Sequence, residues 1–99
     1  MTVYEQRATV TAAAGAASSI GLSIPGGLIR QIVIRSRTDT TVFRANLTDA
    51  SGFRFMDFGY HTNEINGQNM AVAVAGSLAI NITNASRSDT FDLLLKVQE

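Results

Sequence analysis

Apolar residues in this chain recur at every second position, in short runs. Val72-Ala73-Val74-Ala75, Leu78-Ala79-Ile80-Asn81-Ile82 and Thr90-Phe91-Asp92-Leu93-Leu94-Leu95-Lys96-Val97 show the period most clearly. A period of two puts alternate side chains on opposite faces of an extended backbone, leaving one face to bury and one to show to solvent. Turn residues separate the runs. Such a pattern specifies antiparallel β-sheet. The one segment with helical propensity, Ala13-Ala14-Gly15-Ala16-Ala17-Ser18, holds a glycine and is too short to stand alone, so it reads as a loop.

Read in order, Val3 to Ala12 is the first strand, with Ala8, Val10 and Ala12 on one face and Arg7, Thr9 and Thr11 on the other. Ile20, Leu22 and Ile24 alternate with Gly21 and Ser23, and Ile24-Pro25-Gly26-Gly27 suits a type II turn. In Leu28 to Arg35, Ile32 and Ile34 share a face opposite Val33, Arg35 and Arg37. Ser36 to Asp39 is a turn. In Thr41 to Thr48, Phe43, Ala45 and Leu47 oppose Val42, Arg44, Asn46 and Thr48. Asp49-Ala50-Ser51-Gly52 makes a hairpin, because Asp caps its own turn and Gly accepts αL. Phe53 to Phe58 returns, with Phe53 and Phe55 directed inward and Met56 and Phe58 opposite in facing. Gly59 to Asn69 is one long irregular segment. Met70 to Ala75 and Leu78 to Asn84 are joined by Gly76-Ser77, a loop that fits a type II′ turn. A turn over Asn84 to Asp89 leads into the last strand, Thr90 to Val97, whose inner face is Phe91, Leu93, Leu95 and Val97.

Eight strands with mostly short connections predict two sheets packed face to face. The expected fold is all-β, an about eight-stranded antiparallel β-sandwich of jelly-roll or Greek-key type, forming a single β-sandwich domain over residues 1–99. The absence of Trp and Cys argues against a true immunoglobulin domain.

Composition narrows the function classes. Without cysteine there is neither disulfide nor a Cys/His zinc site, so packing, the backbone ladder and association must supply stability. A net charge of zero lacks the long-range field of a general nucleic-acid binder. No stretch approaches the ~20 apolar residues of a membrane-spanning helix. Met1 to Arg7 has no basic region followed by an apolar run, so the chain is expected to be made and used without export through a signal-peptide route. Seven Arg stand against one Lys, and Arg, with its planar fork, tolerates interfaces better than Lys does.

Candidate chemistry is sparse. His61 is the only histidine, with Asp57 and Glu64 near it in sequence, but their spacing over a strand end and a loop fixes no geometry for a metal or a nucleophile. The expectation is no enzyme, no catalytic or metal residues, and no cofactor. Gly26-Gly27 sits at a turn and not before a helix, so it makes no phosphate cradle. The sequons at Asn46, Asn81 and Asn84 read as chance matches, two of them within strands. Phe43-Arg44 and Phe53-Arg54-Phe55 alternate in facing, which puts aromatics inside and arginines outside.

Apolar residues out of phase with the inner sets are the stronger signal. Val33, Val42, Met56, Phe58 and Leu94 fall on otherwise polar faces, and Tyr4 and Tyr60 flank strands. Rimmed by arginine, such residues have the composition of a protein interface. The expected interface set is Tyr4, Val33, Arg35, Arg37, Arg44, Met56, Phe58, Tyr60, His61 and Leu94.

The layout also resembles a family. A Thr/Val-rich first strand and an Ala/Gly-rich turn lead to Ile24-Pro25-Gly26-Gly27-Leu28, Thr40-Thr41-Val42-Phe43-Arg44 and the Asp49-Ala50-Ser51-Gly52 hairpin. Phe58-Gly59-Tyr60-His61-Thr62 and Asn84-Ala85-Ser86-Arg87-Ser88-Asp89-Thr90-Phe91 follow. This is similar to the small β-sandwich decoration, or cement, proteins of tailed bacteriophage heads. The resemblance implies a virion structural protein, made in the host cytoplasm and placed on the capsid surface, that bridges neighbouring subunits of the major capsid protein. It also implies a homo-oligomer, trimer or dimer, with no nucleic-acid or membrane partner. The competing expectation is a carbohydrate- or ligand-binding module using the 59–69 loop, where Tyr60, His61, Asn63, Asn66, Gln68 and Asn69 mix an aromatic platform with amides.

Overall fold

Alternation is realised as strand almost throughout. A computed structural model describes residues 3–99, the side chains of Pro25 and Ala75 excepted. The strands are β1 (Val3–Ala12), β2 (Ser18–Ser36), β3 (Val42–Asp49), β4 (Arg54–Thr62), β5 (Glu64–Gly67), β6 (Val72–Thr83) and β7 (Asp89–Gln98). Every pairing is antiparallel.

β2 is the organising element. Its leading half pairs with β6 from Ser18 to Ile29, whereas its trailing half pairs with β7 from Leu28 to Ser36 and with β5 from Ile32 to Arg35. One strand therefore serves two layers, β1-β7-β2-β5 and β2-β6-β3-β4. Counting the halves of β2 separately gives eight segments, four to a layer, in the orders 1-8-3-6 and 2-7-4-5. That is the order of a jelly roll, which decides between the two topologies the sequence allows.

Two expected turns are bends within strands. Ile24-Pro25-Gly26-Gly27 does not reverse the chain, because β6 stays paired with β2 on both sides of it. Gly26 and Gly27 have φ of 139° and 143°, and across the ladder Gly76 has φ of 81°. Positive φ on both strands breaks the register between Ile24 and Gly27 and lets the pair bend together from one layer toward the other. Gly76-Ser77 is likewise no hairpin, since β6 continues through it to Thr83. The expected irregular segment 59–69 is mostly strand, carrying the end of β4 and all of β5. Between them Asn63, at φ 67°, turns the chain from one layer into the other. Its N–H donates to Thr41 O (2.8 Å), and its carbonyl accepts from the N–H of Ser36 (2.8 Å), both partners being buried.

The core lies between the layers. Ile29, Ile32, Ile34, Phe91, Leu95 and Val97 come from one side, and Phe43, Ala45, Leu47, Ile80 and Ile82 from the other, all essentially without exposure. Phe43 and Phe91 meet across the interior edge to face, with centroids 4.8 Å apart. In β4 two register slips against β3 turn Met56 and Phe58 to the core, against the expected facing, and leave Phe53 outside it. Phe53 is 67% exposed, because it closes the β3–β4 turn, where its N–H donates to Asp49 Oδ1 (2.9 Å). Phe55 does pack against the core.

Candidate functional site

Inward residues of the β1-β7-β2-β5 sheet go to the core, so its other face is built from the remaining half of each strand. Val33 lies directly opposite Leu94 in the ladder between β2 and β7. Each is flanked in sequence by buried residues that face the other way, which directs both outward, where neighbours leave them half-buried. Arg7 stands beside Leu94 on β1, and Asn66 stands beside Val33 on β5.

The next row carries charge. Arg35 lies between Asp92 and Glu64 in register, and its Nη2 donates to Glu64 Oε1 at 2.8 Å. Arg37 grips Asp92 with two bonds, Nε to Oδ2 at 3.2 Å and Nη2 to Oδ1 at 3.1 Å. Hydrogen bonding from Arg37 holds the Asp92 carboxyl below the usual range despite some desolvation. A shallow depression of about 330 Å³ runs along this face, with Val33 and Leu94 in its floor and Arg7, Arg35, Glu64 and Asp92 around it. The result is a sheet surface with an apolar centre and an ionic rim.

A second cluster lies on the outer face of the other sheet. Arg44 and Tyr60 are opposite in the β3–β4 ladder, and the guanidinium carbon sits 5.9 Å from the ring centroid. Arg44 Nη2 donates to Asp57 Oδ2 at 2.6 Å, and Asp57 Oδ1 accepts from the N–H of Gly59 at 2.9 Å. The bond from Arg44, followed by that from Gly59, lowers the Asp57 carboxyl below its ordinary range. Asn84 Nδ2 donates to the Tyr60 hydroxyl at 2.9 Å, fixing a ring that remains 57% exposed.

The expected interface residues thus fall into three places. Val33, Leu94, Arg35 and Arg37 share one face, and Arg44 and Tyr60 share the opposite one. Tyr4, Met56 and Phe58 pack against the core. His61 lies opposite Phe43, away from the Tyr60 face, with Nε2 2.8 Å from the carbonyl oxygen of Phe58. Asp57, His61 and Glu64 are engaged separately, by Arg44, Phe58 and Arg35. Among the described residues no three His, Asp or Glu side chains converge as metal ligands would. Within the 59–69 segment Asn66 accepts from Gln31 on the first face, while Asn63 uses its backbone at the corner. Those amides do not gather around Tyr60.

No family model matches the chain, and no curated protein matches it by sequence. Solved structures do match by shape. The crystal structure of FLHE superposes with a TM-score of 0.56 at 13% identity, covering 99% of this chain and 97% of that one. PliG of Aeromonas hydrophila, a periplasmic lysozyme inhibitor of g-type lysozyme, gives 0.53 at 11%, covering 97% and 86%. The Yersinia pseudotuberculosis-derived mitogen gives 0.54 at 12%, covering 99% and 87%. This chain shares their fold. At such identities the likeness extends to the fold alone.

Sequence parity pointed to Val33, Leu94 and the arginines but missed Arg7, Asp92, Glu64 and Asn66 as their neighbours. Arg7 and Leu94 adjoin across the sheet although 87 positions separate them in the chain. Their facing was readable from the period of two, but adjacency across strands depends on strand order.

Proposed function

We propose that this protein is a non-catalytic virion structural protein that binds the outside of a phage capsid and bridges neighbouring subunits, as a homo-oligomer. The observation that carries the reading is the Val33–Leu94 pair at the centre of an ion-paired, four-stranded face. Apolar side chains in the middle and charges at the rim are the anatomy of a protein interface. A hydrogen-bonded sheet suits a repetitive lattice, because its backbone is already held by the ladder and no loop has to be ordered on docking. The exposed arginines of the rim keep further N–H donors for carboxylates of the major capsid protein beyond those engaged by Asp92 and Glu64. The fold is compatible with such work, as PliG, which shares it, is an inhibitor of g-type lysozyme.

Mixing the purified chain with undecorated capsids and sedimenting the particles tests this. Stoichiometric co-sedimentation that Val33→Asp or Leu94→Asp removes is the expected result. No co-sedimentation at any ratio overturns it.

Tyr60 supports a second reading, as a carbohydrate-binding surface. Its ring is exposed, its hydroxyl is held by Asn84, and Arg44 and Asp57 stand ready as polar contacts. Saturable binding on a glycan array, abolished by Tyr60→Ala, is the outcome that would favour this reading over the first.

A further inference from the structure

The two layers end in four edges: β1 and β5 in one, the leading half of β2 and β4 in the other. An edge strand presents unpaired N–H and C=O groups that template another chain unless something blunts it. β5 is blunted by its length of four residues. β4 slips register against β3 twice, at Ala45/Asn46 and at Leu47/Thr48. On the leading half of β2 the carbonyl of Ser23 is taken by Gln6 Nε2 at 3.0 Å.

β1 has none of these devices. It is ten residues long, contains neither Pro nor Lys, and holds an unbroken register with β7 from Val3 to Ala12. Among the described residues no side chain bonds its backbone.

The direction of its free groups follows from the ladder. The N–H of Arg37 donates to Thr90 O at 3.0 Å, which continues the facing pairs Arg35–Asp92 and Val33–Leu94. Asp92 and Leu94 therefore turn their backbone groups to β2, and Phe91, Leu93, Leu95 and Val97 turn theirs to β1. These meet Val10, Ala8, Gln6 and Tyr4. Val3, Glu5, Arg7, Thr9 and Thr11 are left with N–H and C=O pointing off the sheet.

We infer that this edge pairs with the β1 edge of a second copy, antiparallel about a two-fold axis at Gln6. Glu5 then lies opposite the partner's Arg7, and Arg7 opposite the partner's Glu5. Val3 and Thr9 form the flanking pairs. Each of these facing pairs exchanges two backbone bonds, and the two β1-β7-β2-β5 sheets become one continuous sheet. Charge selects the register. An axis at Glu5 would oppose two glutamates, an axis at Arg7 would oppose two arginines, and an axis at Ala8 would leave both charges facing threonines. Arg7 and Glu5 already contact each other within one strand at 3.3 Å, while the other Glu5 oxygen lies 3.7 Å from Lys96 Nζ. Arg7 and Glu5 are exposed enough to exchange their mutual contact for one across the axis. The pairing goes beyond capsid binding and stands without it.

Sedimentation equilibrium of the full chain over a range of concentrations tests the inference. The expected result is a dimer whose dissociation constant rises about tenfold or more in Arg7→Glu and in Glu5→Arg, and is restored when the two changes are combined. Thr9→Pro is the second variant. The Thr9 N–H makes no bond to β7, so the β-sheet circular dichroism spectrum persists while the dimer is lost. A chain monomeric up to millimolar concentration, a trimer, or a dimer indifferent to all of these substitutions overturns it. Co-sedimentation of the Thr9→Pro monomer with capsids separates this outcome from the capsid reading, which survives if the monomer still binds.

Discussion

The carbonyl oxygen of Gln98 crowds the place where Gly27 would carry a Cβ, closer than any real Cβ contact allows. Gly27 is at the bend of β2, and Gln98, at the end of β7, pairs with the next residue of β2, Leu28. Close approach and a φ of 143° both demand glycine there.

Gly27→Ala is therefore expected to cost about 3 kcal/mol or more, since the obstructing atom is backbone and cannot rotate away. Gly21→Ala serves as the control, because a Cβ at Gly21 meets nothing within 4 Å. It should be neutral or stabilise by about 0.5 kcal/mol. Urea denaturation followed by circular dichroism measures both, and equal costs would show that the Gln98 contact is unimportant.

Phe43 and Phe91 tie the layers together. Either one changed to Ala should lose about 3–5 kcal/mol, and Phe43→Leu much less. The double variant should fall short of the sum by about 1 kcal/mol, the edge-to-face term. Strict additivity would mean that the rings contribute only through the area they bury.

Acid should unfold the protein in a defined way. Burial alone would raise the Asp89 carboxyl, but bonds from the Thr41 hydroxyl and the N–H groups of Thr90 and Thr38 outweigh it and leave the group below its ordinary range. The carboxyls of Asp49, Asp57 and Asp92 are lowered as well. A carboxylate depressed in the folded state stabilises fully above its unfolded pKa of about 3.9, and that contribution is lost as pH falls through the lower folded values. Stability should be flat above about pH 5 and decline below about pH 4. Asp89→Asn should flatten the decline; an unchanged acid slope in that variant would remove Asp89 from the account.

The two outer faces can be ranked against each other in capsid binding. Leu94→Asp should abolish co-sedimentation at protein concentrations where Tyr60→Ala binds as the parent does. Both substitutions lie outside the core, so melting temperatures within a few degrees of the parent are expected. The reverse ranking would move the docking surface to the Arg44–Tyr60 face.

Strand content, the inner faces of β3 and β7 and the outward direction of Val33, Leu94, Arg35 and Arg37 were legible because a period of two is a local property of the chain. The turn at Asp49–Gly52 was legible for the same reason, as Asp49 bonds its own next residues, Ser51 and Phe53. Gly26-Gly27 and Gly76-Ser77 misled. A positive φ permits a reversal or a bulge equally, and only the continued pairing of β2 with β6 makes it a bulge. The 59–69 segment misled because its polar side chains are those of two edge strands, whose outer faces need no apolar residues.

Alternation by itself determined that the chain would be an antiparallel β-sandwich, and which half of β3 and of β7 would be buried. Side-chain facing in an unbulged strand depends on nothing beyond the neighbouring residue; the bulges of β4 broke that rule. Tertiary structure alone decided that β2 would run through both layers, that Arg7, Leu94, Val33 and Asn66 would lie in one row, and that β1 would be the bare edge. Those relations join residues far apart in the chain, and strand order, set by packing the whole core at once, is what brings them together.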